Sequence, residues 1–258
     1  MDNMKRTFLN AAWYLAAFLL LQFAVMMLFA LVRQTASVTP AVSIAITIIS
    51  NVAVIALFAW RRWCPCDGSY INRRQWFTLF WVVCLTAGCI LPLSFISDEL
   101  GFKLPKEYAD LFASIMSRDL GFIAVGVVAP VAEEMVFRGA ILRTLYKALG
   151  HRRRWVAIAV SAVLFGLVHG NMAQGFGAAV MGLLLGWMYV RTGSIVPGVV
   201  FHWVNNSLAV MAYRAMPQAA DMTLVEYFHG DMKYVAIALG CSLMIFGAAL
   251  YQLRLRLN

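Results

Sequence analysis

GFIAVGVVAPVAEEMVFRGAIL, residues 121–142, is an apolar stretch interrupted by Glu133, Glu134 and Arg138. About 20 apolar residues suffice for a helix to cross a hydrocarbon core of about 30 Å, so the stretch reads as a membrane span. Each charged side chain near the centre of such a helix costs roughly 2.5–3.5 kcal/mol on insertion scales, and three together require compensation. Part of it is local. Glu134 and Arg138 lie four residues apart with the acid toward the N-terminus, which predicts an ion pair across one helical turn. Glu133 sits about 100° further round the helix and has no partner within its own span.

The rest of the chain confirms that this is membrane sequence. Of 258 residues, 62% are hydrophobic and 13% charged, about half the charged share of roughly 25% usual in soluble proteins. That composition excludes a cytosolic enzyme, a coiled coil, a disordered chain and a secreted disulfide scaffold. Apolar runs broken by polar residues give spans at about 8–32, 41–60, 76–96, 119–145, 155–170, 174–192, 195–212 and 233–253. The expected fold is an all-α polytopic membrane helix bundle of about eight transmembrane helices, forming one integral membrane domain over 1–258.

The first run lacks a small-residue cleavage site before Arg33 and reads as a retained span. The net charge of +9 is explained by basic residues flanking the spans, so no nucleic-acid partner is expected. Across eight spans, one side collects 14 Lys and Arg and the other 6, which places both termini in the cytoplasm. Cys84, Cys89 and Cys241 lie within apolar runs, and the Cys64-Pro65-Cys66 step offers too few thiolates for a structural zinc site. No disulfide or thiol chemistry is expected.

Before the fourth span, Tyr108, Leu111, Phe112, Ile115 and Met116 form a helical stripe preceded by Pro105. This predicts a helix lying on the membrane face, read as an interfacial anchor in preference to a gate. In the sixth span Gly175, Ala178, Ala179, Gly182 and Gly186 make a small-residue stripe for close helix packing. Gln22 and Asn51 are expected to bond between helices. Pro92 and Pro130 are expected to bend theirs. No internal repeat is visible, which counts against transporters built from inverted halves.

Two later spans add polar groups at helical spacing: Phe165 with His169, and His202 with Asn206. Such groups are unfavourable against lipid, and they are expected to converge with Glu133 on a shared hydrated pocket. A carboxylate beside a neutral imidazole can take a proton from water. A second histidine and an amide can donate hydrogen bonds to the oxyanion of a tetrahedral intermediate. No serine or cysteine lies one turn from either histidine, although Ser161 and Ser207 occupy the same spans, so a covalent route is disfavoured.

The stretches AEEMVFRG, FGLVHG and HWVNN, in that order, carry EExxxR, FxxxH and HxxxN patterns. They resemble the three motifs of the CPBP family of intramembrane proteases, which includes type II CAAX prenyl endopeptidases and relatives tied to bacteriocin maturation or self-immunity. The resemblance covers about residues 118–212. It implies that Glu133 and His169 activate the attacking water and that His202 and Asn206 hold the oxyanion. Glu134, Arg138 and Phe165 are supporting residues, Phe165 by packing. The implied partners are a peptide or protein substrate, lipidated or membrane-embedded, and the bilayer itself.

The family has been described as metalloproteases, and Glu133, His169 and His202 would be the ligands of zinc or another divalent ion. With Glu134 paired to Arg138, only one carboxylate is free, whereas a metal mechanism usually needs ligands plus a separate base. No cofactor is therefore favoured. Two other classes of function fit buried ionisable groups: a proton- or cation-coupled transporter, and a non-catalytic immunity or assembly factor. Short loops and the absence of a targeting extension point to a bacterial cytoplasmic membrane.

Overall fold

The computed structural model describes residues 2–33, 39–65, 70, 75–219 and 222–257. Cys66, Arg73 and Arg74, used above for thiol chemistry and charge counting, lie outside the described residues. The long helices are α1 (Asp2–Arg33), α2 (Pro40–Trp60), α3 (Trp76–Glu99), α4 (Lys106–Met116), α5 (Asp119–Leu149), α6 (Arg154–Leu167), α7 (Met172–Thr192), α8 (Val196–Ala215) and α9 (Met232–Arg256). No strand occurs among the described residues. The protein is a polytopic all-α membrane bundle.

Six helices among the described residues are long and apolar enough to cross a membrane: all of these except α4, α6 and α8. The expected count of eight is met only roughly, for physical reasons. Helix α6 has 14 residues, about 21 Å at 1.5 Å per residue, short of the hydrocarbon thickness. Helix α8 has 20 residues, but His202, Asn205, Asn206 and Arg214 dilute its apolarity. Helix α8 carries His202, and His169 stands in the turn two residues past the end of α6.

Helix α5 is the central element, and its backbone is irregular. Two π-helical segments, Ile123–Val128 and Met135–Leu142, flank an α-helical Ala129–Glu134. Ala129 N–H donates to the Ala124 carbonyl, five residues back. The next bond in that register would run from residue 130 to the Val125 carbonyl, and Pro130 has no N–H to give. The freed carbonyl accepts instead from Asn206 Nδ2 of α8 at 2.9 Å. In the second π segment the Phe137 carbonyl accepts from Ser161 Oγ of α6 at 2.8 Å. Neighbouring side chains thus satisfy polar backbone that lipid would leave exposed.

Helices α6 and α7 form a hairpin closed through Gly170, whose φ of 70° suits a glycine. Its two walls touch where side chains are missing. A Cβ on Gly166 would meet the Gly175 carbonyl oxygen at 2.6 Å, and one on Gly182 would meet Ala162 Cα at 3.0 Å. At the end of the bundle where α4 lies, Arg214 of α8 bonds to Asp119 at 3.0 Å and to the Met116 carbonyl at 2.9 Å. There Thr223 and Glu226 form a capping box, and donation from the Thr223 N–H holds the Glu226 carboxyl below its ordinary value.

Replacing Gly166 by Val should therefore separate α6 from α7. We expect destabilisation of about 1–3 kcal/mol, seen as a lower melting temperature in detergent. An unchanged melting temperature would contradict the close contact.

Candidate active site

Midway along α5, Glu133 and Glu134 face different surroundings. The Glu134 side chain is 0% exposed and its Oε1 lies 2.7 Å from Arg138 Nη1, itself 1% exposed. Glu133 is 19% exposed. The i, i+4 ion pair expected from the sequence is present, and the second carboxylate stands free of it. Arg138 also reaches the Gly182 carbonyl at 3.5 Å and lies over the Phe165 ring, 4.4 Å from its centroid. Pairing, a carbonyl and an aromatic face together replace water around a guanidinium that cannot shed its charge.

Phe165 does more than fill space. Its ring meets His169 edge-on at 5.1 Å and His202 edge-on at 5.6 Å between centroids, and packs against Phe137 at 5.1 Å. It fixes the two imidazoles relative to the buried ion pair. His202 lies between the two carboxylates: Nε2 is 3.7 Å from Glu133 Oε2, and Nδ1 is 3.6 Å from Glu134 Oε1. Either nitrogen, when it carries hydrogen, points at an acceptor. Gly198, one turn before His202, makes room for this, since a Cβ there would sit 2.5 Å from Glu134 Oε2.

The tautomer of His169 follows from its neighbour. Its Nδ1 lies 2.8 Å from the Phe165 carbonyl oxygen, which can only accept, so in the neutral ring Nδ1 carries the hydrogen and Nε2 is left as an acceptor.

Of these groups, Glu133, Phe165, His169 and His202 line one cavity of about 730 Å³, and Glu134 and Arg138 do not. Glu133, Phe165, His169, His202 and Asn206 share its wall with Asn205, Gln174 and, from α1 and α2, Gln22, Ser43, Thr47 and Asn51. Two expectations need correction. The stripe Tyr108, Leu111, Phe112, Ile115 and Met116 of α4 roofs this cavity, with Ile115 buried against Ile44 and Ala124; it is not a plain interfacial anchor. The stripe read correctly as apolar, but periodicity does not say whether lipid or protein covers an apolar face. Likewise Gln22 does bond between helices, accepting from Ser50 at 3.0 Å, whereas Asn51 donates within α2 to the Thr47 carbonyl at 2.9 Å. The polar wall of α2 was not read as part of a site, although its four-residue spacing is visible in the sequence.

Glu133 and His202 stand at a spacing two ligands could share, but no three His, Cys, Asp or Glu side chains among the described residues converge as a metal site would require. The residues present do not fit a three-ligand centre.

Comparison with known proteins points the same way as the motifs. Residues 118–208 match the family described as type II CAAX prenyl endopeptidase Rce1-like. A curated relative, "Putative membrane peptidase YdiL" of Bacillus subtilis (strain 168), is 29% identical over 97 residues, which make up 38% of this chain and 38% of that protein. The chain thus matches well under half the length of this relative. No solved structure matches it.

Removing Arg138 alone should strand a buried carboxylate. Arg138→Met is expected to destabilise the protein by about 3–5 kcal/mol, and Glu134→Leu combined with Arg138→Met to recover most of that loss. Unfolding in mixed detergent measures both; a single variant as stable as the native protein would contradict the pair's role.

Proposed function

We propose that this chain, whose segment 118–208 is of the CPBP type, is an intramembrane endopeptidase that hydrolyses a peptide bond with water and no covalent intermediate. The observation that carries the reading is the asymmetry at mid-span. One carboxylate is neutralised by Arg138, while the adjacent one opens on a cavity shared with two histidines and an amide.

In this reading Glu133 and His169 hold and activate the water. His169 presents Nε2 as an acceptor and orients the water; Glu133 takes its proton as the oxygen attacks the carbonyl carbon. The carbonyl π electrons move to oxygen, and an N–H of His202 and the remaining amide hydrogen of Asn206 bind that oxyanion. As the carbon–nitrogen bond breaks, Glu133 passes its proton to the leaving amine. The 3.7 Å gap between Glu133 and His202 is too long for a direct hydrogen bond and leaves them to meet through water or substrate. The commitment of one Asn206 hydrogen to the Val125 carbonyl holds the amide in place for the other.

The substrate is a peptide or protein segment that reaches the cavity beneath α4. With both termini cytoplasmic, as the basic residues argue, that mouth faces the outer side of the membrane. Among the described residues no three His, Cys, Asp or Glu side chains stand together as ligands, and no step is routed through a metal.

Glu133→Gln keeps the shape of the side chain and cannot act as a base. It should lower peptide cleavage by about 10²–10⁴-fold with unchanged expression and folding, scored by mass spectrometry of membrane peptides from cells carrying either form. Identical peptide profiles would favour a non-catalytic role. Cleavage by the purified protein is expected to survive stringent metal removal. Loss on chelation, with recovery at one zinc per chain, would overturn the metal-free mechanism.

A further inference from the structure

The cavity has a second polar wall, outside the segment that carries the three motifs. Ser43, Thr47 and Asn51 lie at i, i+4 and i+8 on α2, so they stack on one face, and all three line the cavity with Gln22 of α1. Ser43 stands near the end of α2 that packs by α4, and Asn51 two turns deeper, toward the level of Glu133. The row therefore runs from the mouth toward the reacting groups.

Its oxygens have acceptor capacity to spare. Asn51 is 3% exposed, and its Nδ2 donates to the Thr47 carbonyl at 2.9 Å. Only the nitrogen of the amide can face that carbonyl, so the orientation is fixed and Oδ1 turns away from it. Oδ1 is buried without a partner, as is Ser43 Oγ. Thr47 Oγ1 donates to the Ser43 carbonyl at 2.9 Å and keeps its lone pairs for another donor. Gln22 accepts from Ser50 through Oε1, which leaves its amide nitrogen as a donor. Buried acceptors in a membrane interior call for N–H or O–H groups from elsewhere.

The geometry points to a subsite for substrate main chain: we infer that Ser43, Thr47 and Asn51 accept hydrogen bonds from alternate peptide N–H groups of a substrate held extended along α2. The spacing supports this. Four helical residues rise about 6 Å, and N–H groups on one edge of an extended chain recur every two residues, about 6.6–6.8 Å. Three rungs drift by only about 1–2 Å, within the adjustment of side chains. Gln22 then serves a substrate carbonyl, and the apolar roof of Tyr108, Leu111 and Phe112 covers side chains of the substrate. The inference rests on the peptidase reading and deepens it. It assigns a substrate that enters unwound, recognised first by its backbone, with small or apolar side chains toward α4.

The test uses the full-length Glu133→Gln protein in detergent, so binding is read without cleavage. The probes are a fluorescent, end-capped decapeptide of alternating alanine and valine and its fully N-methylated counterpart. The first is expected to bind at least about tenfold more tightly than the second. Adding Asn51→Leu should abolish that preference, and Thr47→Val, which keeps the side chain's shape, should reduce it about threefold; melting temperatures report folding of each. Equal binding of the two probes, no binding of either, or a full preference retained in folded Thr47→Val and Asn51→Leu proteins would overturn the inference. Preference for the N–H probe without cleavage by the native chain would sink the peptidase reading alone and leave the subsite standing.

Discussion

Everything at the centre of this bundle depends on one buried ion pair. A guanidinium and a carboxylate at the middle of a membrane helix must neutralise each other, and Glu134 and Arg138 do so within 2.7 Å and out of contact with solvent. Arg138 then has fixed neighbours, the Phe165 ring and the Gly182 carbonyl. Through Phe165 the pair positions both histidines. Because the pair absorbs one acid, the adjacent Glu133 is left to the cavity, and the two neighbours in sequence acquire separate tasks.

The backbone of α5 adds a second level of control. Pro130 lacks the N–H that the π register requires, and Asn206 supplies a replacement to the Val125 carbonyl. Helix α8 is thereby tied to α5 one turn of α8 beyond the point where His202 reaches Glu133. Ser161 does the equivalent for α6 at Phe137. The irregular turns bring polar groups from three helices to one place without exposing unpaired backbone to lipid.

Much of this was readable from residue spacing. The Glu134–Arg138 pair, the convergence of Glu133, His169, His202 and Asn206, and a close-packing face at Gly175 and Gly182 follow from helical periodicity and the expense of burying polarity; that α6 covers this face, at Gly166 and Ala162, does not. The sequence was silent where the outcome depended on which neighbour covers a face. The α4 stripe looked like a lipid anchor and roofs the cavity. Asn51 looked like an interhelical bond and leaves an acceptor open. The π segments were hidden as well, since a shift in hydrogen-bond register hardly alters an apolar pattern, and only Pro130 hinted at one.

The proposed chemistry requires a contrast between neighbours in α5: position 133, 19% exposed, must meet water, and position 132, fully buried, must not. In a cysteine-free chain reconstituted in vesicles, Glu133→Cys and Ala132→Cys can be compared for modification by a charged, membrane-impermeant thiol reagent. The account predicts ready labelling at 133 and protection at 132. Equal protection at both, in folded protein, would mean that no hydrated chamber reaches the free carboxylate.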